Sequence, residues 1–116
     1  MLKKHGILFC LENSGDMEAM NARNIPFLAG TTTSYGLTEE EAIEAISLST
    51  CKILGIDKKY GSIEKGKSAT FFISDGNALD MRTNNVSTIF VDGKTVSTKN
   101  FQFKLYKKYK NKYQNQ

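Results

Sequence analysis

Two carboxylates stand close together early in this chain. Glu12 and Asp16 bracket the stretch ENSGD, which follows the apolar run GILFCL at residues 6–11. An acid just past the C-terminal end of a buried strand stands where barrels and open α/β sheets keep their catalytic groups. There it could take a proton from an activated water. The same letters also make an ordinary polar turn, with Asp16 as the N-cap of the next segment. Spacing alone favours the turn. Other chemistry is sparse. His5 is the one histidine, and a lone histidine builds no His–His or His–Cys metal cluster. Cys10 and Cys51 lie at no metal spacing and read as buried thiols rather than a disulfide.

A second candidate is the string GSIEKGKS at residues 61–68, which satisfies G-x-x-x-x-G-K-[ST] letter for letter. A phosphate loop needs a strand before it and a helix after it, so that the helix N-terminus and a ring of amides meet the phosphate. Here the pattern is inverted, with a helical segment before and ATFFIS after. No cofactor-binding residue is assigned, and the glycines read as turn residues with Lys65 and Lys67 as solvated flanks.

The elements that must position these groups follow from hydropathy. The run at residues 6–11 suits a strand buried on both faces. A helix is expected to begin near Asn24 with Pro26 in its first turn, and Gly36 reads as its stop. In LTEEEAIEAISLSTCKILG, Thr38 and Glu41 form a capping box and Glu39 to Glu41 face the positive end of the helix dipole. The weak patch at residues 47–50 predicts a break into two short helices. Thereafter the period becomes that of strands: SATFFIS, VSTIFV and KTVST, with Asp92-Gly93 as a hairpin turn. Residues 74–85 read as a long connection. Phe101, Leu105, Tyr109 and Tyr113 fall at i, i+4 with lysines between, one apolar stripe on a terminal helix.

At 116 residues the chain suits one small domain. The net charge of +4 is uneven: Lys99, Lys104, Lys107, Lys108, Lys110 and Lys112 crowd the last eighteen residues without an acid, leaving a slightly acidic body. Lysines interleaved with aromatics can bind nucleic acid. The helical spacing favours a plain surface helix, so neither nucleic acid nor membrane is expected as a partner. No run is long enough to span a bilayer, and the run at residues 7–11 is too short for a signal peptide. A cytoplasmic location is the expectation, with export open should a signal peptide lie upstream.

Three ordered strings, YGLTEEEAIEAISLSTCKILGI, GSIEKGKSATFFISDGNALDMR and TIFVDGKTV, resemble the C-terminal end of the amidohydrolase superfamily, in its imidazolonepropionase-like branch. MNARNIPFLAG resembles a subgroup of these proteins. The resemblance implies an α/β fragment, with the last strand and helices of a TIM-type barrel at residues 1–56 and the C-terminal strands of a small composite β-sandwich at residues 57–98; the basic amphipathic tail helix read from its spacing at residues 99–116 follows them. It implies zinc or another divalent metal for the full-length family, with most ligands upstream of Met1 and none in this chain alone. The family aspartate after the last barrel strand falls by position on Glu12 or Asn13, with Asp16 three or four residues late. Thr70 stands where the family carries an aspartate.

The implied function is hydrolysis of C–N bonds in a cyclic amide or related small molecule by a metal-activated water, with Asp16 or Glu12 as proton shuttle and no turnover by these 116 residues alone. The rest of the barrel, or a homo-oligomer, is the expected partner, because a single parallel-type strand leaves its N–H and C=O groups unpaired. The alternative is a non-catalytic, self-associating module, truncated or degenerate.

Overall fold

A computed structural model of the protein describes residues 2–15 and 18–114. After a 3₁₀ turn at Leu2–His5 come the helices α1 (Glu18–Asn21), α2 (Ile25–Thr33), α3 (Glu39–Ile46) and α4 (Leu48–Ile53). The strands β1 (Phe71–Ser74), β2 (Val86–Val91) and β3 (Lys94–Val96) come next, and α5 (Phe101–Gln114) comes last. The fold is therefore α/β with the two kinds of element in succession.

Local chemistry accounts for most boundaries. Pro26 sits in the first turn of α2, where its missing N–H costs nothing. The hydroxyls of Thr31, Thr32 and Thr33 donate back to the carbonyls of Phe27, Ala29 and Gly30, so this threonine run satisfies itself within the helix. At α3 the capping box is complete: Glu41 N–H donates to the Thr38 hydroxyl at 3.2 Å, and Thr38 N–H donates to the Glu41 carboxylate at 3.0 Å. That bond, with help from Lys3, holds the Glu41 carboxyl below its ordinary range. The helix breaks at Ser47, whose backbone (φ −131°, ψ −88°) is not helical.

The three strands form an antiparallel meander in the order β1-β2-β3. Phe71 pairs with Phe90 and their rings stack with centroids 4.9 Å apart. Asp92 and Gly93 both take positive φ (49° and 76°), the type I′ geometry whose twist matches the strands it joins.

Burial centres on one small cluster. Ala29, Ala42 and Leu79 are enclosed, with Leu11 and Ile46 packed against them, while Ala45 and Ser49 are buried outside that cluster. ATFFIS forms the expected strand at Phe71–Ser74, on which Phe72 and Ile73 remain half exposed, because no second sheet covers them among the described residues. One sequence expectation needs correction here. The apolar run at residues 6–11 forms no strand. Among the described residues Gly6 and Ile7 N–H donate back to the Lys3 and Leu2 carbonyls of the 3₁₀ turn, and Leu11 N–H donates to the Ala45 carbonyl of α3 at 3.2 Å. Strand geometry needs a neighbour's backbone, and the three strands present pair with one another.

The molecule is elongated, 63 × 34 × 29 Å, with a radius of gyration of 17.3 Å. A compact chain of this length would have about 13 Å. Outside α5 the chain is held by close approaches. Gly61 has φ +94°, and a Cβ there would lie 2.9 Å from Cys51 Sγ and from the Leu48 backbone. Gly66 has the same backbone sign (φ +92°) but open space around it. Gly66→Ala should therefore cost about 1 kcal/mol and Gly61→Ala about 3 kcal/mol in denaturant unfolding. Equal losses would mean that the contact with α4 does not matter.

Candidate functional site

The acidic loop is anchored at both ends. Leu11 ties it to α3 through Ala45, and Asn13 Nδ2 donates to the Asn21 carbonyl at 2.6 Å. Gly15 N–H donates to the Glu18 carboxylate at 2.8 Å. The loop's hydrogen bonds among the described residues are thus local, turn-type ones. Glu12 is exposed on it and makes no ion pair among the described residues. Asp16 lies outside the described residues.

A metal needs several convergent donors. Among the described residues no three His, Cys, Asp or Glu side chains gather as one would require. His5 is exposed on the first 3₁₀ turn, and Cys10 and Cys51 are half-buried free thiols. The side chains present do not fit a metal centre.

Another polar cluster lies in the connection at residues 74–85. A cavity of about 360 Å³ opens between this segment and α2, lined by Phe27, Gly30, Glu39, Asn77, Asp80 and Arg82. Asn77 spans it: its amide donates to Glu39 at 2.8 Å, and its side-chain oxygen accepts Leu79 N–H at 2.9 Å. That second bond turns the chain so that Leu79 enters the core. The Asp80 carboxylate takes two-pronged hydrogen bonds from the Arg82 guanidinium, at 2.8 Å and 3.2 Å, and one from the Arg82 N–H at 2.9 Å. These hold the Asp80 carboxyl down at about 2. The Asx turns at Asn77 and Asp80 were the available sequence signal, hidden in a segment that otherwise reads as linker.

The sequence profile of the amidohydrolase family matches residues 7–96. The chain belongs to the amidohydrolase family. Two similar proteins are the imidazolonepropionases of Pseudomonas fluorescens (34% identical over 73 residues, 60% of this chain and 18% of that one) and Acinetobacter baumannii strain AB0057 (35% over 77 residues, 64% and 19%). Among solved structures, an amidohydrolase from Thermotoga maritima MSB8 superposes with a TM-score of 0.73 at 31% identity, over 84% of this chain and 25% of that one. The chain spans about a fifth of the length of the curated relatives it matches.

The match to the amidohydrolase family runs from residue 7 to the end of β3 and leaves α5 outside. Within it, the glycine-rich string is structural. Lys67 is not a solvated flank: its side chain is 13% exposed and its ammonium donates to the Ser62 hydroxyl and to Glu64 at 3.2 Å. Ser62 and Lys67 together hold the Glu64 carboxyl below its ordinary range. The lysine that would reach a phosphate is thus committed inside its own loop. At Thr70, where the sequence resemblance implies an aspartate, the hydroxyl accepts Asp92 N–H at 3.0 Å, while Ser68 donates to the Asp92 carboxylate and Gly93 N–H to the Ala69 carbonyl. The position locks the hairpin turn against the start of β1.

Asp80 supplies a pH test. Its folded pKa lies below the ordinary 3.8, so its contribution to stability is present above pH 3.8 and fades as pH falls toward about 2. Arg82→Gln should raise the Asp80 carboxyl pKa, read by carboxyl NMR titration, and weaken that acid-side dependence of the unfolding midpoint, the backbone N–H of residue 82 keeping its own share. An unmoved Asp80 resonance would show that Arg82 does not set it.

Proposed function

We propose that the chain is the C-terminal part of a metal-dependent hydrolase acting on C–N bonds, of the cyclic-amide kind that imidazolonepropionases suggest. On this reading residues 1–56 contribute the last barrel strand and its helices, and residues 57–98 the C-terminal share of a composite β-sandwich. One observation carries the reading. Ile7 N–H is tied back to the Leu2 carbonyl at 3.2 Å, but residues 8–10 lie in no ladder although the segment stands beside α3, and among the described residues no hydrogen bond engages their backbone, which suits neighbouring strands. The half-exposed Phe72 and Ile73 of β1 support a missing second layer in the same way.

In such a hydrolysis a water oxygen bonds to the carbonyl carbon, the C–N bond breaks, and the departing nitrogen takes a proton. A carboxylate at Asp16 or Glu12 is the group assigned to carry that proton. The donors among the described residues do not form a metal set, so no step here is routed through a metal. The zinc or other divalent ion of the family reading belongs to the full-length enzyme, as does the small-molecule substrate. The partner is the rest of a barrel or a second copy, and the proposed compartment is the cytoplasm.

The purified chain, given zinc and imidazolone propionate or a dihydropyrimidine, should hydrolyse neither above background. Zinc-dependent turnover lost in Asp16→Ala or Glu12→Gln would overturn the claim of inactivity. A second reading, a non-catalytic self-associating module, is favoured by the exposure of Ile7 and Leu8, 50% each. Grafting the matched segment into the Pseudomonas fluorescens imidazolonepropionase separates the two. A working barrel part retains measurable activity, whereas a degenerate one gives a folded, inert chimera. A clean monomer in light scattering at low micromolar concentration would count against self-association.

A further inference from the structure

Helix α5 lies beyond the family match, and nothing in the hydrolase reading uses it. Its five charges, Lys104, Lys107, Lys108, Lys110 and Lys112, are all positive. Phe101, Leu105, Tyr109, Tyr113 and Tyr106 occupy a sector of about 140° around the axis. Gln102 and Lys112 are the polar interruptions in it. A helix serving as a plain surface element would cover that stripe against the body. Instead Phe101 is 69% exposed, Tyr113 63% and Tyr106 58%. A fourteen-residue helix without packing is marginal in water, so a surface that covers the stripe would also stabilise the helix.

Charge and geometry select that surface. Five lysines without an acid require an anionic partner and repel a second α5. Nucleic acid and anionic lipid both supply phosphate, but they ask different things of the rings. Stacking on bases needs free ring faces. Three rings already carry a lysine of their own helix: Lys107 over Phe103 at 5.1 Å, Lys110 over Tyr106 at 5.6 Å and Lys112 over Tyr113 at 5.4 Å. A bilayer surface asks instead for an apolar sector on one side and lysines whose stems run along it with their ammonium groups at headgroup level. We propose that α5 is an interfacial helix that lies flat on an anionic lipid surface and tethers the body there. It lies on the surface and does not span it, since no helix among the described residues is long and apolar enough to cross a membrane. This revises the expectation of no membrane contact.

The test uses the full chain with neutral phosphatidylcholine vesicles, with vesicles carrying about a third phosphatidylserine, and with single-stranded and duplex oligonucleotides. Sedimentation with the anionic vesicles alone is expected, together with a gain in helical circular dichroism and release in about 0.5 M salt. Lys107→Gln with Lys108→Gln should lower partitioning by about tenfold or more. Leu105→Gln with Tyr109→Gln keeps every charge and should lower it by about tenfold. Removing residues 99–116, in which α5 carries no buried side chain, should abolish it. Unchanged binding by the Leu105/Tyr109 variant would overturn insertion in favour of charge alone. Tighter binding to oligonucleotide than to vesicles would assign the helix to nucleic acid. Tail-dependent dimers without vesicle binding would assign the stripe to a second copy, and no binding to any of these would overturn the proposal outright.

Discussion

Helices α2 and α3 meet on alanines, and the rest of the body is arranged around the short distance this permits. Ala29 and Ala42 are fully enclosed, and the third member of their cluster, Leu79, arrives from the connection between β1 and β2. At Gly30 a Cβ would collide with the Leu79 carbonyl oxygen. One close backbone approach therefore couples the helical half to the sheet half. Asn77 turns the chain into that contact and bonds Glu39 at the start of α3, so helix, loop and sheet share a junction. Small residues bring backbones together but bury little area each. No large side chain in the described residues is fully enclosed.

A body held by so small a core leaves much apolar surface uncovered, and its location carries information. The uncovered residues within the family match include Ile7 and Leu8 beside the unpaired segment, and Phe72 and Ile73 on β1. Each is the kind of surface that a further strand or a second sheet covers in a layered fold. Uncovered apolar side chains at Ile7 and Leu8 run directly into backbone without hydrogen bonds at residues 8–10, so this segment lacks partners of both kinds among the described residues. The acidic loop after this segment inherits its position from it and from the Ala45 tether. Whatever Glu12 or Asp16 does chemically depends on what lies beside residues 7–10.

What could be read in the sequence was what local chemistry determines. Thr38 and Glu41 announce their capping box because both halves lie within one turn. Asp92-Gly93 announces its hairpin because two consecutive positive φ angles suit few other pairs. The break at Ser47 came from weak helix formers in series. The strand expected at residues 6–11 failed for the opposite reason: apolar letters specify burial, but a ladder needs a second backbone that those letters do not contain. Leu79 was illegible because its burial comes from α2, some fifty residues away, and Lys67 because its partners, Ser62 and Glu64, matter only once the loop has closed. The acid pair divides along the same line. Its place after the apolar run is a local fact, whereas a role for Glu12 needs convergent groups that no short string supplies.

The two departures that the sequence resemblance implies differ in physical kind. At Thr70 a hydroxyl stands where the resemblance implies a carboxylate, yet the Asp92 N–H still finds an oxygen acceptor at 3.0 Å. The demand there is for an acceptor at a turn, and several side chains meet it. At the end of residues 6–11 the demand is of another sort. A carboxylate that moves a proton must lie within hydrogen-bond reach of the reacting atoms. Glu12 is one methylene longer than aspartate and starts from a residue that no ladder fixes. A turn can exchange residue types and keep its shape, but a proton shuttle that changes length or register must have its surroundings move with it. The helix junction and the hairpin are therefore sound evidence of shared fold. Evidence of shared chemistry has to come from whatever fixes residues 7–10 and the loop beyond them.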